Sequence, residues 1–137
     1  MLRVSGATGL VALVLLGAGE APAQGPSPAA LGRLEAGLWE FKPLGRTGTS
    51  SRICITDLRQ LLQPQQPSIV CRQFIAENGG EQTAVAYECA AQGRGRTTLR
   101  VETPRLVQID SQGVADGRPF SVRYEVRRLG ACSTALR

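Results

Sequence analysis

The sequence of 137 residues contains no histidine, one lysine and one methionine, and its aromatic residues are three Phe, two Tyr and one Trp. Without histidine, the chain lacks the side chain that most often acts as a general base at neutral pH. It also cannot form a histidine-dependent triad or a histidine-ligated metal site. The few aromatic residues mostly occupy core positions of predicted strands, so no exposed platform for stacking nucleotide bases is expected. We therefore expect no nucleic-acid partner.

Other catalytic and metal-binding motifs are also missing. No Ser lies in a Gly-x-Ser-x-Gly elbow, and Lys42 would have to serve as the only lysine base. The cysteines lack zinc-ligand spacing, and the three Asp residues are too far apart for a calcium loop. Carboxylates on predicted strand faces are usually solvated or paired with arginine; they are Glu40, Glu88, Glu102, Asp110 and Glu125. We expect no enzymatic activity, no metal and no cofactor.

No hydrophobic run is long enough for a membrane span. The apolar stretch over residues 4–19 contains glycines, and its strongly apolar part is shorter than the roughly 20 residues that a spanning helix needs. Arg3 precedes this stretch, and Ala21-Pro-Ala23 follows it as a small-x-small cleavage site. The pattern predicts a signal peptide over residues 1–23, cleaved after Ala23. The mature protein is then periplasmic or secreted and does not span the membrane.

The rest of the chain has the composition of one small globular domain. Hydrophobic residues make up 42% and charged residues 20% of the sequence, close to globular averages. Residues 24–33 are rich in Pro, Ala, Ser and Gly, which predicts a flexible lead-in to a single domain over residues 34–137. The net charge is +5, and all but one of the basic residues are arginine.

Four cysteines lie in the predicted mature part, at Cys54, Cys71, Cys89 and Cys132. An even number in a small exported chain predicts two disulfides, and three pairings are open. We favour Cys54 with Cys71 and Cys89 with Cys132, because sequential pairing closes the shorter loops and suits a meandering sheet. Each disulfide is expected to contribute about 3 to 4 kcal/mol.

Alternation of apolar and polar residues predicts a mainly β fold. Trp39 and Phe41 face one side of the first strand, and Phe120 to Val126 alternate in the same way in the last. Glycine-rich turns are expected at 78–80 and 92–95. The predicted strands cover residues 38–42, 52–55, 69–75, 82–90, 96–102, 105–110 and 120–127.

One short helix is expected between the second and third strands. Leu58, Leu61 and Leu62 have the spacing of one buried stripe, Thr56 can cap the helix, and Asp57 complements its N-terminus. The predicted fold is therefore a small antiparallel β-sheet or partial barrel with one short helix, cross-linked by two disulfides.

Arginines on the predicted strands form the most suggestive surface. In adjacent strands they would make a patch for an anionic polymer or a lipid head group. The alternative is an ordinary solvated face, with Glu102 and Glu125 between the arginines. The residues of this candidate anion-binding patch are Arg94, Arg96, Arg100, Arg123 and Arg127.

Several short motifs occur in a fixed order along the chain. After the signal peptide come Gly37-Leu-Trp-Glu40, Cys54-Ile-Thr56, single cysteines at Cys71 and Cys89, and Arg127-Arg-Leu-Gly-Ala-Cys132. Together they resemble the bacterial exported family catalogued as domain of unknown function 3617. The resemblance implies a small periplasmic or secreted protein of proteobacterial type, and it carries over no catalytic residue.

Taken together, the sequence suggests a binding or interaction module of the bacterial envelope. Its ligand would be a small apolar molecule, an anionic envelope component or a protein partner. The alternative is a purely structural or stress-related periplasmic protein without a ligand.

Overall fold

The structure is a computed structural model that describes residues 26–45 and 48–133. The predicted signal peptide over residues 1–23 lies outside the described residues. Within them, the strands are β1 (Gly37–Pro43), β2 (Ser51–Ile55), β3 (Arg72–Asn78), β4 (Gln82–Glu88), β5 (Gly93–Thr103), β6 (Leu106–Ala115) and β7 (Arg118–Gly130). The 3₁₀ helices are η1 (Ala29–Arg33), η2 (Leu58–Leu62) and η3 (Ala90–Gln92).

All seven strands form one antiparallel sheet in the order β2-β1-β7-β6-β5-β4-β3. Strands β3 to β7 are consecutive hairpins, and β1 then pairs with β7 and with β2. Strands β2 and β3 form the two edges and do not pair with each other, so the sheet is open. The predicted mainly β, antiparallel fold is confirmed, in the form of a sheet rather than a partial barrel.

The sheet has one covered face and one solvent-exposed face, because side chains alternate along each strand. The covered inner face carries Trp39 and Phe41 of β1, as the alternation predicts. Helices η1 and η2 pack on it and complete the core. The exposed outer face carries mainly polar and charged side chains. The buried apolar core is formed by Ala30, Leu31, Leu34, Trp39, Phe41, Ile55, Leu61, Leu62, Val85, Leu99, Val101, Val107, Ile109 and Val126.

The segment just before β1 differs from the expected flexible lead-in. Residues Ala29–Arg33 form η1, whose Ala30 and Leu31 side chains are buried in the core. The backbone N–H of Ala29 donates to the Asn78 side chain across 2.8 Å. The prediction of a flexible segment over 24–33 is therefore wrong from Ala29 onward, because one turn with two buried side chains leaves little trace in composition.

The predicted short helix forms as η2, a 3₁₀ helix. Leu61 and Leu62 are fully buried, and Leu58 packs against the core from a partly buried position. The N-cap is Asp57 rather than Thr56: its carboxylate accepts from the backbone N–H of Arg59 at 3.0 Å. The side chain of Gln60 accepts in return from the Asp57 backbone N–H, which completes a capping box.

The glycines expected to form a turn at 92–95 lie elsewhere in the fold. The turn is η3, while Gly93 and Gly95 belong to β5. A Cβ at Gly95 would lie 2.6 Å from the Tyr87 hydroxyl oxygen, and one at Gly113 would collide with the Arg94 carbonyl oxygen. Glycine is needed at Gly95 because the Tyr87 ring packs across it, and at Gly113 because the backbone of β5 approaches closely.

All four cysteines are in disulfides, but the favoured pairing is wrong. The bonds are Cys54–Cys132 and Cys71–Cys89. Cys71 and Cys89 extend the β3–β4 register by one position, and their Cα atoms are 4.5 Å apart. At the other edge, Leu38 of β1 pairs with both Cys54 and Gly130, so the chain leaving β7 passes close to β2. Spatial order of the strands, and not loop length, decides the pairing.

Candidate functional site

A cleft of about 570 Å³ runs along the free edge of β3. Helix η2 and the following loop, residues 63–71, form one wall, and β3 forms the other. Because both Gln73, from the inner face, and Phe74, from the outer face, line the cleft, it follows the strand edge rather than one face of the sheet.

Exposed apolar side chains concentrate at this cleft. Four large hydrophobic residues are exposed in the described part of the chain: Val70 (91%), Phe74 (45%), Leu129 (43%) and Ile75 (37%). Val70, Phe74 and Ile75 line the cleft, whereas Leu129 lies on β7. Single exposed hydrophobics are ordinary, but a cluster in a groove is typical of an interaction site.

A network of glutamines builds the inner wall of the cleft. The buried Gln63 side chain donates to the backbone carbonyls of Gln66, at 2.7 Å, and of Ile69. Its carbonyl oxygen accepts from Gln73 across 3.0 Å. Gln60 donates to the Pro67 carbonyl oxygen at 2.8 Å. These bonds hold the 63–71 loop against η2 and β3, so the cleft is shaped before any ligand arrives.

The backbone of β3 is paired on one side only. The N–H of Gly79 donates to the Gln82 carbonyl oxygen at 2.8 Å, which closes the β3–β4 hairpin. Hydrogen-bonded and non-hydrogen-bonded pairs alternate from that point in an antiparallel ladder. With the bulge between Ile75 and Glu77, this alternation turns the N–H and C=O groups of Gln73 and Ile75 away from β4. Such an edge can pair with another extended chain.

The charged groups at the cleft are few. Asp57 and Arg59 lie at its η2 end, and the Arg72 guanidinium stands over the Phe74 ring at 5.2 Å, a cation–π contact. Within residues 26–45 and 48–133, no group of three His, Cys, Asp or Glu side chains could hold a metal ion. What the cleft offers chemically is apolar contact and free backbone hydrogen-bonding groups.

The arginines predicted to form one cationic patch do not come together. Strand β6 separates β5 from β7, and Asp110 of β6 pairs with Arg123. Arg100 forms an ion pair with Glu102 at 3.2 Å, and Arg127 is 3.8 Å from Glu125. Arg94 and Arg96 lie on β5, away from Arg123. The prediction of adjacent arginine strands is wrong, and the outer face carries charges of both signs.

A buried polar cluster lies on the inner face, on strands β4, β5 and β6. The hydroxyls of Thr97 and Ser111 are 2.8 Å apart. The Tyr87 hydroxyl is buried without a hydrogen-bond partner. Burial raises the pKa of Tyr87, and the nearby Ser111 side chain offsets part of that rise. Because the Tyr87 hydroxyl forms no hydrogen bond of ordinary geometry, burial is the dominant influence on its pKa.

The chain matches no protein-family model, no curated protein and no solved structure. The resemblance to domain of unknown function 3617 therefore stays a prediction from the sequence motifs. In the structure, Gly37 to Glu40 lie in β1, Cys54 lies in β2, and Cys71 and Cys89 bracket β3 and β4. In the described part of the chain, no helix is long and apolar enough to cross a membrane.

Proposed function

We propose that this protein is an exported, non-enzymatic binding module that takes up an extended polypeptide segment along the free edge of β3. The observation that carries the proposal is the coincidence of an unpaired strand edge with Val70, Phe74 and Ile75 in one cleft. Strand addition uses both features: backbone hydrogen bonds supply affinity, and pockets for alternate side chains supply specificity.

An extended polypeptide fits this site better than the other ligand classes expected from the sequence. A small apolar molecule would be favoured by an enclosed interior, but the sheet is open and the cleft follows its edge. Such a molecule would also leave the free N–H and C=O groups of β3 unused. An anionic polymer would be favoured by a continuous cationic surface, and the outer-face arginines alternate with carboxylates.

Export is part of the proposal, and two observations support it. Both disulfides of the described chain, Cys54–Cys132 and Cys71–Cys89, are of the kind that persists in oxidising compartments. The sequence also predicts a signal peptide cleaved after Ala23. A protein that presents a strand edge outside the cytoplasm would act by holding or joining other envelope polypeptides.

The proposal is tested by fluorescence anisotropy with a labelled, uncharged peptide of alternating threonine and valine. We expect the disulfide-bonded protein, residues 24–137, to bind this peptide. Val70→Asp should weaken binding about tenfold or more. The substitution removes an apolar contact that the bound peptide would bury, and it desolvates a charge in the complex. Val70 is highly exposed, so the substitution should leave the fold intact.

Leu129→Asp provides the control, since Leu129 is also a large exposed apolar residue but does not line the cleft. It should bind the peptide like the unmodified protein. Absence of binding at concentrations where the protein is monomeric, or equal weakening by both substitutions, would reject strand addition and favour a purely structural envelope protein.

A further inference from the structure

We propose that the occupant of the β3 edge is a second copy of this chain, joined through a two-fold axis at Phe74 so that the two sheets continue into one. This inference rests on the proposed function, because it names the partner of the same edge. It follows from the order in which charged and apolar side chains stand along β3.

The β-bulge in β3 determines which side chains share a face. Arg72, Phe74 and Glu77 pair with Glu88, Ala86 and Ala84, respectively, which are alternate residues of β4. The three β3 side chains therefore all lie on the outer face, although Glu77 would face the other way in a regular strand. All three are exposed.

The resulting row of side chains is complementary to itself. Phe74 stands in the middle, and Arg72 and Glu77 lie two ladder positions away on either side. Antiparallel pairing about an axis at Phe74 places the two Phe74 rings opposite each other. The same register places Arg72 of each copy opposite Glu77 of the other, which gives two opposite-charge pairs. Cross-strand pairs of both kinds stabilise a sheet.

The backbone groups fit this register as well. Gln73 and Ile75 carry the N–H and C=O groups that point away from β4, and in the proposed register they lie opposite each other. They can exchange hydrogen bonds across the axis, while Phe74 occupies a non-hydrogen-bonded position, where opposing side chains come closest. Backbone pattern and side-chain charge thus select the same alignment.

The edge is also fixed in place before association. The Cys71–Cys89 disulfide ties the start of β3 to β4, and the Gly79–Gln82 hydrogen bond closes its other end. A strand held at both ends loses less conformational entropy on pairing than a mobile one, which favours association.

Charge-reversal variants test the register in sedimentation velocity over a series of protein concentrations. We expect reversible dimers of the disulfide-bonded protein. Glu77→Arg should raise the dimer dissociation constant about tenfold, because two attractive pairs become repulsive. Arg72→Glu should act in the same way. The double variant R72E/E77R restores opposite charges and should recover most of the affinity.

Arg96→Glu is the matched control, since Arg96 is exposed on the same face but lies on β5. It should dimerise normally. A protein that stays monomeric at all soluble concentrations, or a double variant no better than either single one, would overturn the inference.

The binding of the threonine–valine peptide separates this inference from the proposed function. If the peptide binds to a monomer that never dimerises, strand addition stands and the second copy is rejected. If neither occurs, both fail. Ile75→Pro removes an outward N–H without touching the β3–β4 ladder, and it should abolish both interactions if both use this edge.

Discussion

The two edges of the sheet are both cross-linked, yet they present opposite surfaces. Edge strand β2 has five residues; Ile55 is buried, Ile53 packs against the core, and Arg52 forms an ion pair with Glu40 at 3.3 Å. Edge strand β3 has seven residues, nearly all exposed, with Phe74 and Ile75 beside the cleft. A short edge whose apolar side chains pack into the core is protected against pairing, whereas a longer edge with exposed apolar side chains is available for it.

The disulfides at the two edges also perform different tasks. Cys54–Cys132 joins residues 78 positions apart and ties β2 to the chain that leaves β7. Cys71–Cys89 spans 18 positions and only reinforces an existing hairpin. The comparison suggests that the first disulfide stabilises the fold as a whole, while the second holds the β3 edge against β4.

The largest expected effect comes from removing each disulfide in turn. In the loop-entropy model, Cys54→Ala with Cys132→Ala should cost about 4 to 5 kcal/mol. The pair Cys71→Ala with Cys89→Ala should cost about 3 kcal/mol on the same model. Urea denaturation monitored by the fluorescence of Trp39 measures both. An equal loss of stability in the two variants would contradict the assignment of different tasks.

Truncating a core residue beneath either edge should lower the stability of the protein by a similar amount, but only the truncation beneath β3 should weaken peptide binding. Leu61 of η2 and Ile55 of β2 are both fully buried, and truncating either to Ala should cost about 2 to 5 kcal/mol. Leu61→Ala loosens the wall of the cleft, so peptide affinity should fall. Ile55 lies at the other edge, so Ile55→Ala should leave the peptide affinity unchanged. Denaturation and anisotropy on the same samples check this, and loss of peptide binding by Ile55→Ala would contradict it.

The smallest effect concerns pH and Tyr87, next to the β3 edge. Burial raises the pKa of Tyr87 in the folded protein, so the neutral phenol is favoured there. Its contribution to stability is full below the pKa of the unfolded chain, about 10, and falls as the pH rises above it.

Tyr87→Phe should remove this alkaline loss and change stability near neutral pH by no more than about 1 kcal/mol, since the hydroxyl has no hydrogen-bond partner. Thermal melts of both proteins between pH 7 and strongly alkaline pH measure the difference. A Tyr87→Phe protein that loses as much stability at alkaline pH as the original would show that Tyr87 is not responsible.

Local patterns predict the strands well where one face is buried. Trp39 and Phe41 in β1, and Thr97, Leu99 and Val101 in β5, lie in the core as their alternation indicates. The predicted ends of the strands are less accurate: β3 begins at Arg72 rather than Ile69, and β6 continues to Ala115 rather than ending at Asp110. The β6–β7 turn lies at Asp116-Gly117, both with positive φ, and the Asp-Gly pair is a known hairpin signal.

The cleft is harder to predict from the sequence than the strands are. Its exposed apolar residues resemble core residues in a one-dimensional pattern, because Phe74 and Ile75 are strand-forming hydrophobics like those of β1. The glutamines at 60, 63, 65 and 66 are a compositional signal, but their side-chain hydrogen bonds depend on tertiary contacts. Their partners lie in the loop, in β3, in β7 and in η3. That β3 is an edge strand follows only from the strand order.

The sequence by itself determined the β class, the alternation that separates the two faces of the sheet, and the presence of four cysteines able to pair. These properties depend on neighbours in the chain, where the period of a strand and the chemistry of a side chain act locally. Tertiary structure decided the strand order, the pairing Cys54–Cys132 and Cys71–Cys89, the separation of the arginines and the open edge at β3. Each of these depends on contacts between residues far apart in sequence, which form only when the whole sheet buries its inner face.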